Sequence, residues 1–357
     1  MNYYSEMKAV RSKICGMAEM ASDGPPAPAA LRNFWRRAKF SFNLIFLEKE
    51  IITFAVLQWA CIGAGYLLWV QMLGWIPDHV WQRAAAERSA GLPDLVLLVW
   101  SFVCVGATAF PLGVLSGCMG AVHFLHRQGR ESTIVECLNM VLPKVWQLWI
   151  FHWIDGWWTV TRILDRLPKK SDRSSPAARA LREAMYYAWK LATIGILPGL
   201  VTGRGLADAG RRSVDLVQAK FADAAFLRAG YSAACWVLGV GAYIGTILFF
   251  WKFPHLAGKV GPVSAQIHKF YFWAAVPILS AAGVVLLFLR PIYIISSCDL
   301  YANYVQERGE NLMLPPPPGA GRKSDMAAFA VACLLAAGLL LAVKYRYELG
   351  IMGWLAR

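Results

Sequence analysis

His152, Asp155 and Lys190 stand in stretches of this chain that are otherwise apolar, and ionisable side chains in that setting are where its chemistry would reside. A charge at membrane depth costs at least ~2.5 kcal/mol on insertion scales, so such groups pair with one another or line a wet cavity. His152 and Asp155 are three residues apart, on one helix face, and Lys190 lies in the next apolar stretch. The favoured reading is a shallow region in which all three side chains touch headgroup water. The competing hypothesis is an intramembrane polar site built on an Asp155–Lys190 ion pair with His152 one turn away.

His123 and His126 make a second i, i+3 pair, with Glu131 and Glu136 close behind. Two imidazoles and a carboxylate could hold zinc or iron. The sequence has neither H-E-x-x-H nor a repeated Glu-x-x-His, so a polar helix end is the favoured reading, and no metal or cofactor is expected. G-x-S-x-G, a phosphate-loop lysine motif, G-x-G-x-x-G and C-x-x-C-H are all missing, so no catalytic activity is expected.

The elements that must position these residues are apolar helices. No charged side chain interrupts Ile51 to Ile76, and comparable runs recur at Leu95–Val122, Ala229–Phe250, Phe270–Leu289 and Met326–Val343. A bilayer core ~30 Å thick needs about 20 such residues, more than a soluble core helix requires. With 57% hydrophobic and 16% charged residues, a water-exposed globule is excluded, and the 16 tryptophans fit interfacial anchoring. The formal charge of +14 gathers beside the apolar runs, which points to anionic lipid headgroups as partners and not to nucleic acid. The eight cysteines have no C-x-x-C spacing and read as small buried hydrophobes.

The predicted fold is all-α: a polytopic transmembrane helix bundle with interfacial amphipathic helices. Residues 1–50 form a basic cytoplasmic region whose Leu31–Leu47 part lies on the leaflet. The bundle occupies 51–310, with spans near 51–76, 95–123, 229–251 and 270–290 and two less apolar stretches at 141–164 and 184–203. Residues 311–325 are a Pro-rich linker, and 326–344 a final span. Between the two central stretches lie Arg166, Lys169, Lys170, Arg173, Arg179 and Arg182. Keeping these cations cytoplasmic favours a re-entrant central hairpin. Gly205–Arg228 reads as a surface amphipathic helix, and Arg290-Pro291 as a membrane exit. Gly113, Gly117 and Gly120, and Gly239, Gly241 and Gly245, supply small faces for helix packing.

One stretch resembles a known family. Trp189-Lys-Leu191-Ala192-Thr193-Ile-Gly-Ile-Leu-Pro198, followed by Ala209-Gly-Arg211-Arg212-Ser213, is similar to the centre of an uncharacterised family of prokaryotic six-helix integral membrane proteins. The ending Leu300-Tyr301-Ala302-Asn-Tyr304 resembles the Tyr-rich close of that family's last helix. The resemblance covers about residues 40–310 and departs from the pattern in the basic linker, the polar N-terminal extension and the seventh apolar segment. It implies that both central stretches cross, against the charge argument, and implies no reaction or substrate.

The location expected is a bacterial inner membrane, multi-pass, with the N-terminus cytoplasmic. The leading functional expectation is a scaffold or accessory subunit of a larger membrane complex, docking other membrane proteins or further copies of itself. The alternative is a small-molecule, ion or lipid transporter using His152, Asp155 and Lys190 along a polar path through broken central helices. The two differ in one structural respect: a scaffold needs no continuous polar cavity, and a transporter does.

Overall fold

The computed structural model describes residues 27–73, 92–130, 132–166, 176–253, 276–310 and 312, and among them every regular element is helical, with no strand. In chain order, α1 is Ala27–Leu47, α2 Lys49–Leu73, α3 Leu92–Arg127, α4 Ile134–Val141, α5 Val145–Arg166, α6 Pro176–Ala192, α7 Ile196–Val201, α8 Leu206–Ala219 and α9 Phe221–Lys252. The last, α10, is Val276–Glu307, with a π-helical turn at Val285–Leu289. Among the described residues four helical runs are long and apolar enough to cross a membrane: Leu98–Arg127, Ile134–Arg162, Phe221–Lys252 and Val276–Glu307. They fit a membrane protein. The run at 134–162 joins α4 to α5 through a short 3-10 turn, Leu142–Lys144. Residues 1–26, most of the loop at 77–94, the linker tip at 167–175 and the expected final span at 326–344 lie outside the described residues.

Helix α3 packs closely on α5, and glycine makes it possible. A Cβ on Gly106 would sit 2.7 Å from the Trp153 ring, and one on Gly113 would sit 3.0 Å from the Leu148 carbonyl oxygen. With no side chain at those positions the tryptophans of α5 reach the backbone of α3. Trp149 Nε1 donates to the Gly106 carbonyl at 2.7 Å, and Trp153 Nε1 to the Phe102 carbonyl at 3.2 Å. The expected Gly239, Gly241 and Gly245 packing face differs: among the described residues no other element would come within 4 Å of a Cβ on Gly241 or Gly245. On that helix Trp236, Val237, Ile244, Leu248 and Trp251 all point outward.

Three expectations are revised by the positions of helix ends. The amphipathic helix at 205–228 is two elements, because Lys220 leaves helical geometry (φ −131°, ψ 41°), so Arg228 belongs to the long apolar helix α9. Arg290-Pro291 does not end its helix. Pro291 has no N–H for the carbonyl four residues back and its ring crowds that carbonyl; the backbone widens into the π turn just before it and continues to Glu307. Finally, α1 buries two polar side chains together with Ala30, Leu44 and Ile45, and leaves large apolar ones outside. Arg37 and Ser41 are buried while Trp35, Phe42, Phe46 and Leu47 are exposed.

Arg37 joins three helices. Its guanidinium lies 3.2 Å from Asp223 Oδ2 on α9 and 3.4 Å from Asp299 Oδ2 on α10. Asn33 adds a hydrogen bond to Asp223, and Arg127 at the end of α3 reaches Asp299, Asn303 and Gln306.

The break between α6 and α7 is closed by Ser213 of α8. Its hydroxyl accepts from the Gly195 N–H at 2.8 Å and donates to the Ala192 carbonyl at 2.5 Å, satisfying both backbone groups that the interruption frees. Just beyond, Gly199 lets Ala209 approach so closely that an added Cβ would lie 2.9 Å from it. Arg212 binds Glu310, and this hydrogen bond holds the Glu310 carboxyl below the usual carboxylate range. Each small or charged residue of Ala209-Gly-Arg211-Arg212-Ser213 except Gly210 and Arg211 thus has a packing task. Ser213→Ala strands a buried donor and acceptor and is expected to lower stability by about 1–3 kcal/mol, read from detergent unfolding of the full-length protein. A loss under about 0.5 kcal/mol would show that other groups carry the break.

Candidate functional site

Helices α5 and α6 run antiparallel, and their polar residues meet in matching steps. Nearest the linker, Arg162 binds Glu183 at 2.6 Å and its guanidinium lies 4.0 Å over the Tyr186 ring. Further in, Trp158 stacks on Trp189 with ring centroids 5.8 Å apart. Deeper still, Lys190 Nζ lies 2.5 Å from Asp155 Oδ1, which also accepts from Trp189 Nε1 at 3.3 Å. The Asp155 and Lys190 side chains are 29% and 11% exposed. His152, one turn before Asp155, uses Nδ1 to donate to the Leu148 carbonyl at 3.0 Å. The neutral ring then presents Nε2 as an acceptor.

These three residues open onto one partly open cavity of about 430 Å³ lined by α2, α3, α5, α6, α7, α9 and α10. Two arginines not predicted for the site also line it, Arg228 from α9 and Arg290 from α10. Arg290 donates to Ser116 Oγ at 3.1 Å, and Ser116 in turn accepts from Gln58 Nε2 at 2.9 Å, so the guanidinium is held by a chain of partners. Arg228 lies over the rings of Tyr231 and Tyr293, at 5.6 and 5.8 Å, and its Nε is a buried donor without an acceptor among the described residues. The lining therefore carries three cations, Lys190, Arg228 and Arg290, against the single carboxylate of Asp155. With His152 neutral that is +3 − 1, a formal +2 among the described residues.

Each wall contributes by helical period. Asp155 and Thr159 follow His152 at i+3 and i+7 on α5, Tyr293 and Ser297 follow Arg290 in the same way on α10, and Lys190 follows Tyr186 by one turn on α6. Two backbone irregularities of the bundle fall here as well. Thr193 and Ile194, in the α6–α7 break, line the cavity, and the π turn of α10 immediately precedes Arg290. Irregular backbone at membrane depth occurs where it is buried or lines a polar cavity. Val105, Leu112, Phe151 and Ile294 make an apolar part of the same wall.

His123 and His126, the pair weighed for metal, have separate surroundings. His123 is buried edge-on between Phe40 and Phe124, with no hydrogen-bond partner on either ring nitrogen among the described residues. His126 Nδ1 lies 2.9 Å from Glu48 Oε1, and Ser132 donates to the other oxygen of that carboxylate at 2.6 Å. Glu136 binds Arg130. Among the described residues no three of His, Cys, Asp or Glu gather where a metal ion could sit.

Arg228 and Arg290 were readable as cations near helix ends, one on an amphipathic face and one snorkelling to headgroups. The signal that could have found them is polar spacing inside apolar segments, Arg290-x-x-Tyr293-x-x-x-Ser297 in particular. Compared with family models, curated proteins and solved structures, the chain matches none.

Proposed function

We propose that this protein is a membrane carrier for an anionic small molecule or lipid, and that the cavity around Lys190, Arg228 and Arg290 is its binding site. The observation that carries the reading is the formal +2 of a cavity walled by membrane helices. Two uncompensated cations there are expensive unless water and an anion accompany them, and such residues mark solute pathways. The broken α6–α7 segment and the π turn of α10 support it, since discontinuous helices at a central site are how many transporters bind and release solute. A scaffold that only docks neighbours has no use for this arrangement.

In this reading α6 and α7 together form one discontinuous crossing. The α6 end pairs with α5 at Arg162–Glu183, and the α7 end reaches Val201 beside Gly120 of α3. The location proposed is a bacterial inner membrane with α1 at the cytoplasmic side. Trp35, Phe42 and Phe46 there face the lipid boundary while Arg37 braces the bundle.

Purified full-length protein in liposomes tests the proposal. Uptake of labelled phosphate, sulfate, acetate and glycerol 3-phosphate, and transbilayer movement of a labelled anionic phospholipid, are measured in parallel. At least one anion should move with a saturable rate and fall at least tenfold when Arg228→Gln and Arg290→Gln are combined. Rates equal to protein-free liposomes for the whole panel would overturn the carrier reading, as would a double variant that keeps the parent rate.

A further inference from the structure

Charge, donor set and size narrow the ligand beyond "anion". Resting on the carrier reading, we infer that the cavity binds a phosphate monoester. The cavity's formal +2 matches a group carrying −1.5 to −2 at neutral pH, which a phosphate monoester does. A carboxylate or a phosphodiester brings a single negative charge and leaves one cation without a counter-ion. The donors suit three terminal oxygens. Two arginines offer planar forks, Lys190 offers a mobile ammonium, and the phenols of Tyr231 and Tyr293 stand beside Arg228, whose buried Nε has no acceptor.

Size leaves room for more than a bare ion. A volume of about 430 Å³ falls in the ~300–1,000 Å³ range of organic ligand sites and far exceeds the ~30 Å³ share of one water molecule. The remainder of the cavity is apolar where Leu112, Phe151 and Ile294 line it, so the ester carries a carbon skeleton against that wall. Two sources supply this chemistry: a lipid with a phosphate-monoester headgroup, or a soluble phosphorylated metabolite.

Equilibrium binding to the full-length protein in nanodiscs of zwitterionic lipid decides between them. The lipid arm compares phosphatidate with phosphatidylmethanol, which has the same tails and a methyl-esterified headgroup. The soluble arm compares glycerol 3-phosphate with its methyl ester, and inorganic phosphate and dodecanoate complete the set. The monoester of at least one arm should bind at least tenfold more tightly than its methyl ester and than dodecanoate; whichever arm does so identifies the source. Asp155→Asn should tighten that binding and Arg228→Gln weaken it, so a variant that simply misfolds is told apart. Equal affinity for ester pairs overturns the monoester assignment while leaving an anion carrier in place. Absence of binding by every anion overturns both.

Discussion

Arg37→Ala is expected to destabilise this protein by about 3–5 kcal/mol, the loss typical of removing one member of a buried ion pair and leaving its partner charged. Two carboxylates depend on this guanidinium, Asp223 at 3.2 Å and Asp299 at 3.4 Å, and the Arg37 and Asp223 side chains are only 7% and 6% exposed. Asp299 retains Arg127 when Arg37 is removed, whereas Asp223 keeps only the amide of Asn33. The double variant Arg37→Ala with Asp223→Asn should therefore recover part of the loss, because the stranded charge is gone. Arg37→Lys should fall between, since one ammonium cannot reach both carboxylates with the geometry of a fork. Unfolding of the purified protein in mixed micelles reads all three. A loss under about 1 kcal/mol for Arg37→Ala, the size of an exposed pair, would show that α1 is peripheral to the bundle.

The second large effect is a divergence in sign. Asp155 and the bound anion compete for Lys190, so Asp155→Asn should strengthen anion binding and Lys190→Met should weaken it. Taking Asp155 as a unit charge about 8 Å from the ligand, at an effective dielectric of about 20, its removal contributes about 2 kcal/mol, or roughly thirtyfold tighter binding, and loss of the directly contacting Lys190 weakens binding by at least as much. Stability moves differently. Asp155→Ala strands a lysine beside two arginines, and a loss of about 1–3 kcal/mol is expected at this partly exposed pair. Reversing both charges, Asp155→Lys with Lys190→Asp, should restore most of what either reversal removes. A pure folding defect would weaken binding in both single variants; that common sign would refute the competition.

How much of this was legible in the sequence depended on what each residue had to reveal. The apolar helices were, because uninterrupted apolar length is a local property of Leu95–Val122 or Ala229–Phe250. The juxtaposition of Asp155, Lys190 and His152 was legible only as the less favoured of two readings, since isolated ionisable groups in apolar stretches either meet one another or reach headgroup water. Arg37, Arg228 and Arg290 were not. Arg37 lies mid-helix, and its partners Asp223 and Asp299 come from distant helices; whether Arg228 or Arg290 meets headgroups or the bundle interior depends on where its helix starts or stops, and both of those ends were hidden. Lys220 breaks the chain between α8 and α9 with neither proline nor glycine there to mark it. Pro291 looks like a terminus but is absorbed by a π turn, a response set by the packing around it. The pairing of Ser213 with the α6–α7 break is likewise tertiary: the serine is readable, the two backbone groups it serves are not.

The most direct examination of the central claim is a density map of the full-length protein in a lipid nanodisc, at a resolution that separates side chains. Non-protein density should bridge Lys190, Arg228 and Arg290 within hydrogen-bonding distance of at least two of them. A closed cavity with those three cations extended to the membrane surface, or one holding only an acyl chain, would contradict it.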